Sequence, residues 1–315
     1  MSQPGQILRV RQLPDSKHSS VPETSLDVTA GDAQVEATRR PREMLRLDTG
    51  EELRLDDREE FRRDGYEQLR VVADPILSAV RVSVVIPALN EADNLPHVFE
   101  RMPVEVSEVI LVDGDSTDGT VQVAKQLWPR LVAIKQTGKG KGNALACGFW
   151  AATGDVIVML DADGSTDPAE IPRFVAALLA GADFAKGSRF IAGGGSTDIT
   201  TMRRIGNWGL AKVVNSLWGG QYSDLCYGYN AFWRRCLPFV TPDCEGFEVE
   251  TLMNIRAARA RLCIHEVPSF EYDRRHGTSN LHARRDGMRV LRTIVSERVR
   301  PQQSWAPERR TREKP

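Results

Sequence analysis

The sequence lacks several features that mark secreted, zinc-binding or membrane-spanning proteins. Its 315 residues include only five cysteines, which are scattered and form no CxxC pair. An odd and dispersed set argues against a disulfide framework or a cysteine-based zinc site, and is typical of reduced thiols in a cytosolic protein. No run reaches the roughly 18 apolar residues needed to cross a bilayer. The longest candidate, around Val71–Leu89, is interrupted by Asp74 and Arg81.

An excess of charge of one sign is also lacking. The chain has 42 Lys and Arg residues and 43 Asp and Glu residues, which gives a formal net charge of -1. General affinity for nucleic acid requires an excess of positive charge, so we expect no nucleic-acid partner. The first residues, MSQPGQILRV, do not form the apolar stretch of a signal peptide. We therefore expect a cytoplasmic protein.

Composition divides the chain into three parts. Residues 1–80 are polar and charge-rich, which predicts a disordered or weakly structured extension. Residues 81–281 hold most of the long apolar runs and are long enough for one α/β domain. Residues 282–315 are predicted to form a basic amphipathic helix and a disordered tail.

The predicted C-terminal helix has an apolar face and arginines elsewhere. The apolar residues are Met288, Leu291, Ile294 and Val295. A basic amphipathic helix can lie on an anionic membrane, at the inner face of the cell membrane in this case. The alternative is that the same face packs on the domain.

Segments with strand and helix patterns alternate about every 25 residues from Val82 onward, as in an α/β fold. Predicted strands cover residues 82–88, 107–113, 131–136, 155–161 and 182–190. The alternation predicts a mostly parallel, Rossmann-like sheet flanked by helices. Ligands bind beyond the carboxyl ends of the strands in such sheets, and three acidic clusters follow strand ends here.

The acidic turn Asp161-Ala-Asp163 follows the fourth predicted strand. Two carboxylates two residues apart present the hard oxygen ligands that Mg²⁺ or Mn²⁺ prefers, and diphosphate oxygens complete such a site. The alternative is an Asp-rich turn before the helix that starts at Pro168, with Asp167 as its N-cap. We favour metal binding because the other acidic clusters share the same edge of the sheet.

Two further segments favour a nucleotide. Asp113 ends the second predicted strand, where its carboxylate can accept hydrogen bonds from a base or a ribose, whereas Asp118 is expected to cap the next helix. The loop Gly138-Lys-Gly-Lys-Gly-Asn143 combines flexible glycines with Lys141 at a helix start, which suits a phosphate. A flexible basic loop is the alternative. A GxGxxG segment does not follow the first strand, so a nicotinamide-binding domain is disfavoured.

Taken in order, four segments resemble family 2 inverting glycosyltransferases, which have a GT-A fold. These segments are VIPALNEA (85–92), VDGDSTDGT (112–120), GKGNA (140–144) and LDAD (160–163). The resemblance extends from about Val82 to Leu281. The segments GSRF (187–190) and GGG (193–195), followed by Arg203 and Arg204, are similar to dolichyl- and polyprenyl-phosphate mannosyl- or glucosyltransferases.

The resemblance implies a role for each matching residue. It implies that Pro87, Glu91 and Asp113 contact the nucleoside, and that Asp161 and Asp163 bind the metal and the diphosphate. It also implies that Arg189 and Arg203 contact the acceptor phosphate, and that Arg274 lies in a loop that covers the diphosphate. The chain departs from the family pattern at three places. Gly164-Ser165 stands where the family often has a Gln that helps to bind the metal. Asn207 replaces a serine that contacts the acceptor phosphate, and Asn280 stands where Lys is common.

The identity of the acceptor depends on these arginines and on two glutamates. Guanidinium groups hold phosphate by charge-assisted, often bidentate bonds, although Arg203 and Arg204 could also form a solvated helix start. An acceptor phosphate is ionised at neutral pH and needs no strong base. A sugar hydroxyl needs a carboxylate to take its proton, and Glu248 or Glu250 could do so or could stabilise the following helix.

We therefore expect a metal-dependent hexosyltransferase that moves a hexose from a UDP- or GDP-sugar to a polyprenyl phosphate of the cell envelope. The expected cofactor is Mg²⁺ or Mn²⁺. The expected catalytic residues are Asp163, Glu250, Arg189 and Arg203, and the expected donor-binding residues are Pro87, Glu91, Asp113, Lys141, Asp161 and Arg274. The alternatives are transfer to a soluble or saccharide hydroxyl, a nucleotidyltransferase, and a non-catalytic nucleotide-binding module.

Overall fold

The computed structural model describes residues 77–277 and 283–300, together with two short strands nearer the start of the chain. These strands, β1 (Arg9–Arg11) and β2 (Met44–Arg46), pair antiparallel within a unit of their own, Met1–Tyr66. The remainder of 1–76 and the tail after residue 300 lie outside the described residues. The three-part division of the chain thus stays a prediction.

A seven-stranded sheet forms the centre of the second unit, Glu67–Pro315, with the order β10-β7-β9-β6-β3-β4-β5. Six strands run in one direction, and β9 is antiparallel to both of its neighbours. A separate parallel pair joins β8 to β11. The strands are β3 (Val82–Ala88), β4 (Glu108–Asp113), β5 (Val132–Lys135), β6 (Val156–Met159), β7 (Phe184–Ser188), β8 (Gly195–Ser196), β9 (Asn230–Trp233), β10 (Ile264–Pro268) and β11 (Phe270–Glu271).

Helices cover the two faces of this sheet. Those within the described residues are α1 (Leu95–Glu100), α2 (Thr120–Leu127), α3 (Gly140–Ala151), α4 (Ile171–Leu179), α5 (Thr201–Trp218), α6 (Leu237–Val240), α7 (Val249–Arg259) and α8 (Ala283–Val299). Alternate side chains of β3 enter different cores, since Val84 and Ile86 pack with α1, α2 and α4, whereas Val85 packs with α3 and α7. The α/β fold predicted from the alternation is confirmed.

Local sequence signals agree with these elements. The first predicted strand, 82–88, coincides with β3. Asp167 caps the 3₁₀ turn that precedes α4, because its carboxylate accepts a hydrogen bond from the backbone N–H of Ala169 at 3.0 Å. Gly148 of α3 faces β3 and β4, where an added Cβ would lie 2.3 Å from Val85. The missing side chain lets α3 lie close to the sheet.

The C-terminal helix α8 differs from the prediction in which residues share a face. Ile294 is buried with Val290 against α5 and α7, whereas Met288, Leu291 and Val295 are exposed. The single apolar face expected from the sequence is thus two faces, because residues 294 and 295 are 100° apart around a helix. Within the described part of the chain, no helix is long and apolar enough to cross a membrane.

Candidate active site

The acidic clusters predicted from the sequence follow β3, β4 and β6, which run parallel and adjacent in the sheet. Their carboxyl ends therefore meet at one edge. Glu91 follows β3, Asp113 ends β4, and Asp161 and Asp163 follow β6. Pro87 lies in β3 opposite Val112 and is partly buried.

Lys141 connects one side of this edge to α7. Its ammonium nitrogen lies 2.6 Å from Asp161 Oδ1 and 2.7 Å from Glu250 Oε1. Burial alone would lower the pKa of Lys141, but the two carboxylates raise it above its ordinary value. Burial raises the pKa of Glu250, and Lys141 offsets only part of that effect. Lys141 is therefore charged and held between the two acids.

Arg274 connects the other side. Its Nη2 lies 2.6 Å from both carboxylate oxygens of Glu91, and its Nη1 lies 3.4 Å from Asp163 Oδ2. Asn94 also donates a hydrogen bond to Glu91, at 2.6 Å. Burial raises the pKa of Glu91 despite these contacts. Arg274 thus brings a predicted nucleoside residue and a predicted metal ligand together.

The carboxylates of Asp113 and Asp118 organise the loop after β4. Asp113 accepts hydrogen bonds from the backbone N–H groups of Asp115 and Ser116, at 3.2 Å each. Asp118 accepts from the N–H of Ala92 at 3.0 Å and from Thr120. The predicted N-cap of α2 is wrong: the cap is Gly119, which has a positive φ of 87° and no side-chain cap hydrogen bond, and Asp118 instead holds the loop through Ala92 and Thr120. The nucleoside contact of Asp113 stays a prediction.

The glycines around Lys141 have a different local role from the one expected. An added Cβ would lie 2.0 Å from the carbonyl oxygen of Glu245 at Gly140, and 2.2 Å from that of Cys244 at Gly142. These glycines therefore let the first turn of α3 contact the segment before α7, and the contact places Lys141 beside Glu250. Proximity to a phosphate is not needed to explain them.

Gly228 is a site residue that the sequence analysis missed. An added Cβ there would lie 2.8 Å from Asp161 Oδ2, 3.1 Å from Lys141 Nζ and 3.4 Å from Glu250 Oε1. Its φ is not positive, so the position uses the missing side chain rather than an unusual backbone angle. A glycine between two tyrosines in a segment with a strand pattern was the available signal.

Arg189 has partners other than the acceptor phosphate that the resemblance implies. Its side chain is 3% exposed and forms ion pairs with Asp224 at 2.7 Å and with Glu271 at 2.9 Å. A second bond to Asp224 makes that pair bidentate. Arg189 also holds the pKa of Asp224 below its ordinary value, although burial opposes this. The contacts support a structural role, and the acceptor role stays a prediction.

Arg203 is more accessible than Arg189. It lies in the first turn of α5, with its side chain 29% exposed and Nη1 2.7 Å from Asp198. Asn207, one turn later, is buried and accepts hydrogen bonds from the N–H groups of Leu225 and Cys226. Asn207 therefore fixes the loop that leads to Gly228, which explains why an amide suits this position.

The two aspartates of the acidic turn fit a divalent cation that is shared with a diphosphate. Asp161 and Asp163 are 28% and 23% exposed, and Asp161 Oδ2 accepts no hydrogen bond from the described residues. Residues 77–277 and 283–300 contain no group of three or more His, Cys, Asp and Glu side chains that could hold a metal ion. Ligands from a bound nucleotide are therefore needed to complete such a site.

Parallel strands that end in carboxylates, with Lys141 and Arg274 paired to three of these acids, define an α/β protein with an acidic site at one edge of its sheet. The model of glycosyl transferase family 2 matches residues 83–252, more than half of the chain. The chain belongs to this family of enzymes, and its fold is the GT-A fold predicted from the resemblance.

Two curated proteins illustrate the similarity. Undecaprenyl-phosphate mannosyltransferase of Micrococcus luteus is 32% identical over 216 residues, which cover 64% of this chain and 88% of that protein. Polyprenol monophosphomannose synthase of Mycolicibacterium smegmatis is 33% identical over 223 residues, which cover 64% and 81% of the two chains.

A solved structure shares the fold. Glucosyl-3-phosphoglycerate synthase from Mycobacterium tuberculosis aligns with a TM-score of 0.57 and 25% identity, covering 74% of this chain and 85% of that one. A second structure of that synthase contains Mn²⁺, UDP-glucose and glycerol 3-phosphate, and aligns with a TM-score of 0.56 at 25% identity.

Proposed function

We propose that this family 2 glycosyltransferase is metal-dependent and inverting, and that it transfers a hexose from a UDP- or GDP-sugar to a polyprenyl phosphate. The observation that carries the proposal is the accessible pair Asp161 and Asp163 at the carboxyl end of β6, with Lys141 and Arg274 beside it. Acids with adjacent cationic side chains suit a ligand that brings both a metal ion and a diphosphate.

In this mechanism, Asp161 and Asp163 hold Mg²⁺ or Mn²⁺, which supplies neutralisation of charge on the departing diphosphate when it is bound. Glu91, Asp113 and Pro87 bind the nucleoside, and Arg274 leaves Glu91 to contact the diphosphate. Lys141 keeps Asp161 and Glu250 in place. The acceptor phosphate, already ionised, attacks the sugar C1 in line and needs no base.

Two observations favour a lipid phosphate as the acceptor. The relatives named above as undecaprenyl-phosphate mannosyltransferase and polyprenol monophosphomannose synthase match most of their own length at 32% and 33% identity. Arg203 is accessible at the start of α5, and its remaining nitrogens have no hydrogen-bond partner in the described part of the chain. Peripheral contact with the inner face of the cell membrane follows from such an acceptor.

The second candidate is transfer to a hydroxyl. Glu250 is buried, has a raised pKa and lies beside Asp161, which are properties of a carboxylate that could accept a proton. Its 2.7 Å ion pair with Lys141 opposes that role, because an ammonium stabilises the ionised form and weakens the base. We therefore place this candidate second.

The test measures transfer from radiolabelled UDP- and GDP-hexose, with Mn²⁺, to polyprenyl phosphate. The comparison is between wild type, Arg203→Ala and Arg235→Ala, because Arg235 forms a similar exposed ion pair with Asp183 elsewhere. Loss of a charge-assisted contact should reduce lipid transfer about 10- to 100-fold in Arg203→Ala only. Unchanged lipid transfer with efficient hydroxyl transfer would favour the second candidate, and release of pyrophosphate would indicate a nucleotidyltransferase.

A further inference from the structure

A pocket separate from the candidate active site lies where the C-terminal ends of α5, α7 and α8 meet. Its volume is about 390 Å³, and none of its lining residues belongs to the candidate active site. Four arginines and one glutamate supply the charged part of the lining, namely Arg259, Arg261, Arg298, Arg300 and Glu297. Such a concentration of positive charge in a pocket attracts anionic ligands.

The acidic side chains at this corner do not compensate the arginines. Glu297 is 2% exposed and already pairs with Arg259, Arg300 and Arg256. Asp243 pairs with Arg256 and Arg300 as well. Neither carboxylate forms an ion pair with Arg261 or Arg298.

Arg261 and Arg298 are the two arginines that remain available. Both are exposed, and in the described part of the chain neither donates to an acidic side chain. Arg261 also occupies the turn after α7 with a φ of +55°, in the left-handed region that normally takes glycine. The chain thus places a long cation where a glycine would be less strained.

Apolar side chains lie in the pocket lining and near Arg298 on α8. Trp218, at the end of α5, contributes to the lining. On α8, Val295 and Val299 are 65% and 79% exposed and are three residues before and one residue after Arg298. Exposed aliphatic side chains beside unpaired arginines are typical of a surface that contacts anionic lipids.

We propose that this pocket binds the phosphate group of an anionic phospholipid, with Arg261 and Arg298 as its contacts and the stripe Leu291, Val295 and Val299 on the acyl side. The chemistry recognised is a phosphate ester, which a soluble phosphate compound also offers. The apolar stripe favours a phospholipid over a soluble phosphate compound, because only a phospholipid has acyl chains against which the exposed valines can be buried.

The test uses the full chain and vesicles of phosphatidylglycerol or phosphatidylcholine. The variants are Arg261→Gln/Arg298→Gln and a control of equal charge change, Lys125→Gln/Arg130→Gln, whose residues are exposed on α2 and the turn after it. At about three- to fivefold per basic residue, the pocket variant should lose roughly 10- to 30-fold in binding to phosphatidylglycerol. The control should lose less than about 3-fold, and phosphatidylcholine should bind all three weakly.

Inorganic phosphate provides the second arm, measured as a shift in melting temperature. Stabilisation of the wild type that is lost in the pocket variant supports the phosphate contacts. The same result with vesicle binding equal in all three proteins would overturn the lipid source in favour of a soluble phosphate. Equal vesicle binding without any phosphate effect would overturn the pocket itself.

A further variant separates binding from folding. Arg261→Gly keeps the left-handed turn, so its melting temperature should equal or exceed that of the wild type. Its binding to phosphatidylglycerol vesicles should nevertheless decrease about 3- to 10-fold. Undiminished binding in this stably folded variant would contradict a contact by Arg261.

Discussion

The guanidinium of Arg274 lies against Glu91, with Nη2 2.6 Å from both carboxylate oxygens. Glu91 is one of the residues proposed to bind the nucleoside, so the ion pair must rearrange when a donor binds. The two residues are far apart in sequence, and the contact joins the loop after β3 to the segment after β11. The proposed donor contacts therefore predict that donor binding changes the position of that segment.

The first prediction concerns Arg274 itself. Arg274→Ala should weaken nucleotide-sugar binding about 10-fold or more, because it removes a charge-assisted contact with the diphosphate. Isothermal titration with UDP- and GDP-sugars measures the effect. The adjacent Arg275→Ala is the control, since that exposed side chain makes no ion pair among the described residues. Equal affinities in the two variants would contradict the proposed role.

The second prediction concerns the metal ligands. Asp163→Ala should abolish donor turnover, and its thermal stabilisation by Mn²⁺ plus nucleotide should disappear, since binding stabilises the folded state. Glu100→Ala, which removes an exposed carboxylate at the end of α1, should behave as wild type in both measurements. Full activity in Asp163→Ala would show that this carboxylate is not a metal ligand.

The third prediction uses matched glycine substitutions. Gly228→Ala should reduce turnover by roughly 100-fold, because the new Cβ displaces Asp161 or Lys141 from the positions they hold. Gly209→Ala in α5 meets no atom within 4 Å, and should raise the free energy of unfolding by roughly 0.5–1 kcal/mol without changing turnover. Similar kinetics for the two variants would refute the close contact at Gly228.

The fourth prediction separates the two arginines assigned to the acceptor. Arg189→Ala should lower the free energy of unfolding by about 3–5 kcal/mol, since it leaves buried Asp224 without its counter-ion. Arg203→Ala should change it by less than about 0.5–1 kcal/mol, because its ion pair with Asp198 is exposed. Urea unfolding measures both, and comparable losses would show that Arg189 is not the structural arginine.

The fifth prediction is a pH dependence. Burial raises the pKa of Glu170 to about 7, despite hydrogen bonds from Ser269 and Phe270. The folded state therefore binds a proton that the unfolded state releases between about pH 4.5 and pH 7, so stability falls as pH rises through this window. The loss of stability relative to pH values below about 4.5 reaches its full size, roughly 3 kcal/mol, above pH 7.

Glu170→Gln removes this titration. Its free energy of unfolding should change less than that of the wild type between pH 5 and pH 8, as measured by urea unfolding at each pH. A parallel pH dependence in both proteins would show that Glu170 has an ordinary pKa.

Local patterns sufficed to predict much of the fold. The alternation of strand and helix segments predicts the parallel part of the sheet, and the first predicted strand has the same bounds as β3. The position of β9 was not predictable, because its four residues, Asn230–Trp233, pair with strands more than 40 residues earlier. The apolar pattern of a strand is the same whether the strand runs parallel or antiparallel to its neighbours, so the pattern does not predict the direction.

The candidate site shows the same division. Asp161, Asp163 and Glu91 follow strand ends, so their common edge could be inferred from the order of elements. The partners of Arg189 could not, since Asp224 and Glu271 are 35 and 82 residues away in sequence. Likewise, the glycines beside Lys141 contact residues 244–245, which no local pattern near Gly140 reveals.

The reversed strand β9 has a consequence for the order of assembly. It fills the space between β6 and β7, although these two strands are consecutive in the chain. During synthesis, the edges of β6 and β7 that pair with β9 therefore keep unpaired backbone N–H and C=O groups until residues 230–233 have been made. The chain must therefore be synthesised up to Trp233 before β6 and β7 can be joined, and up to Pro268 before all seven strands are present.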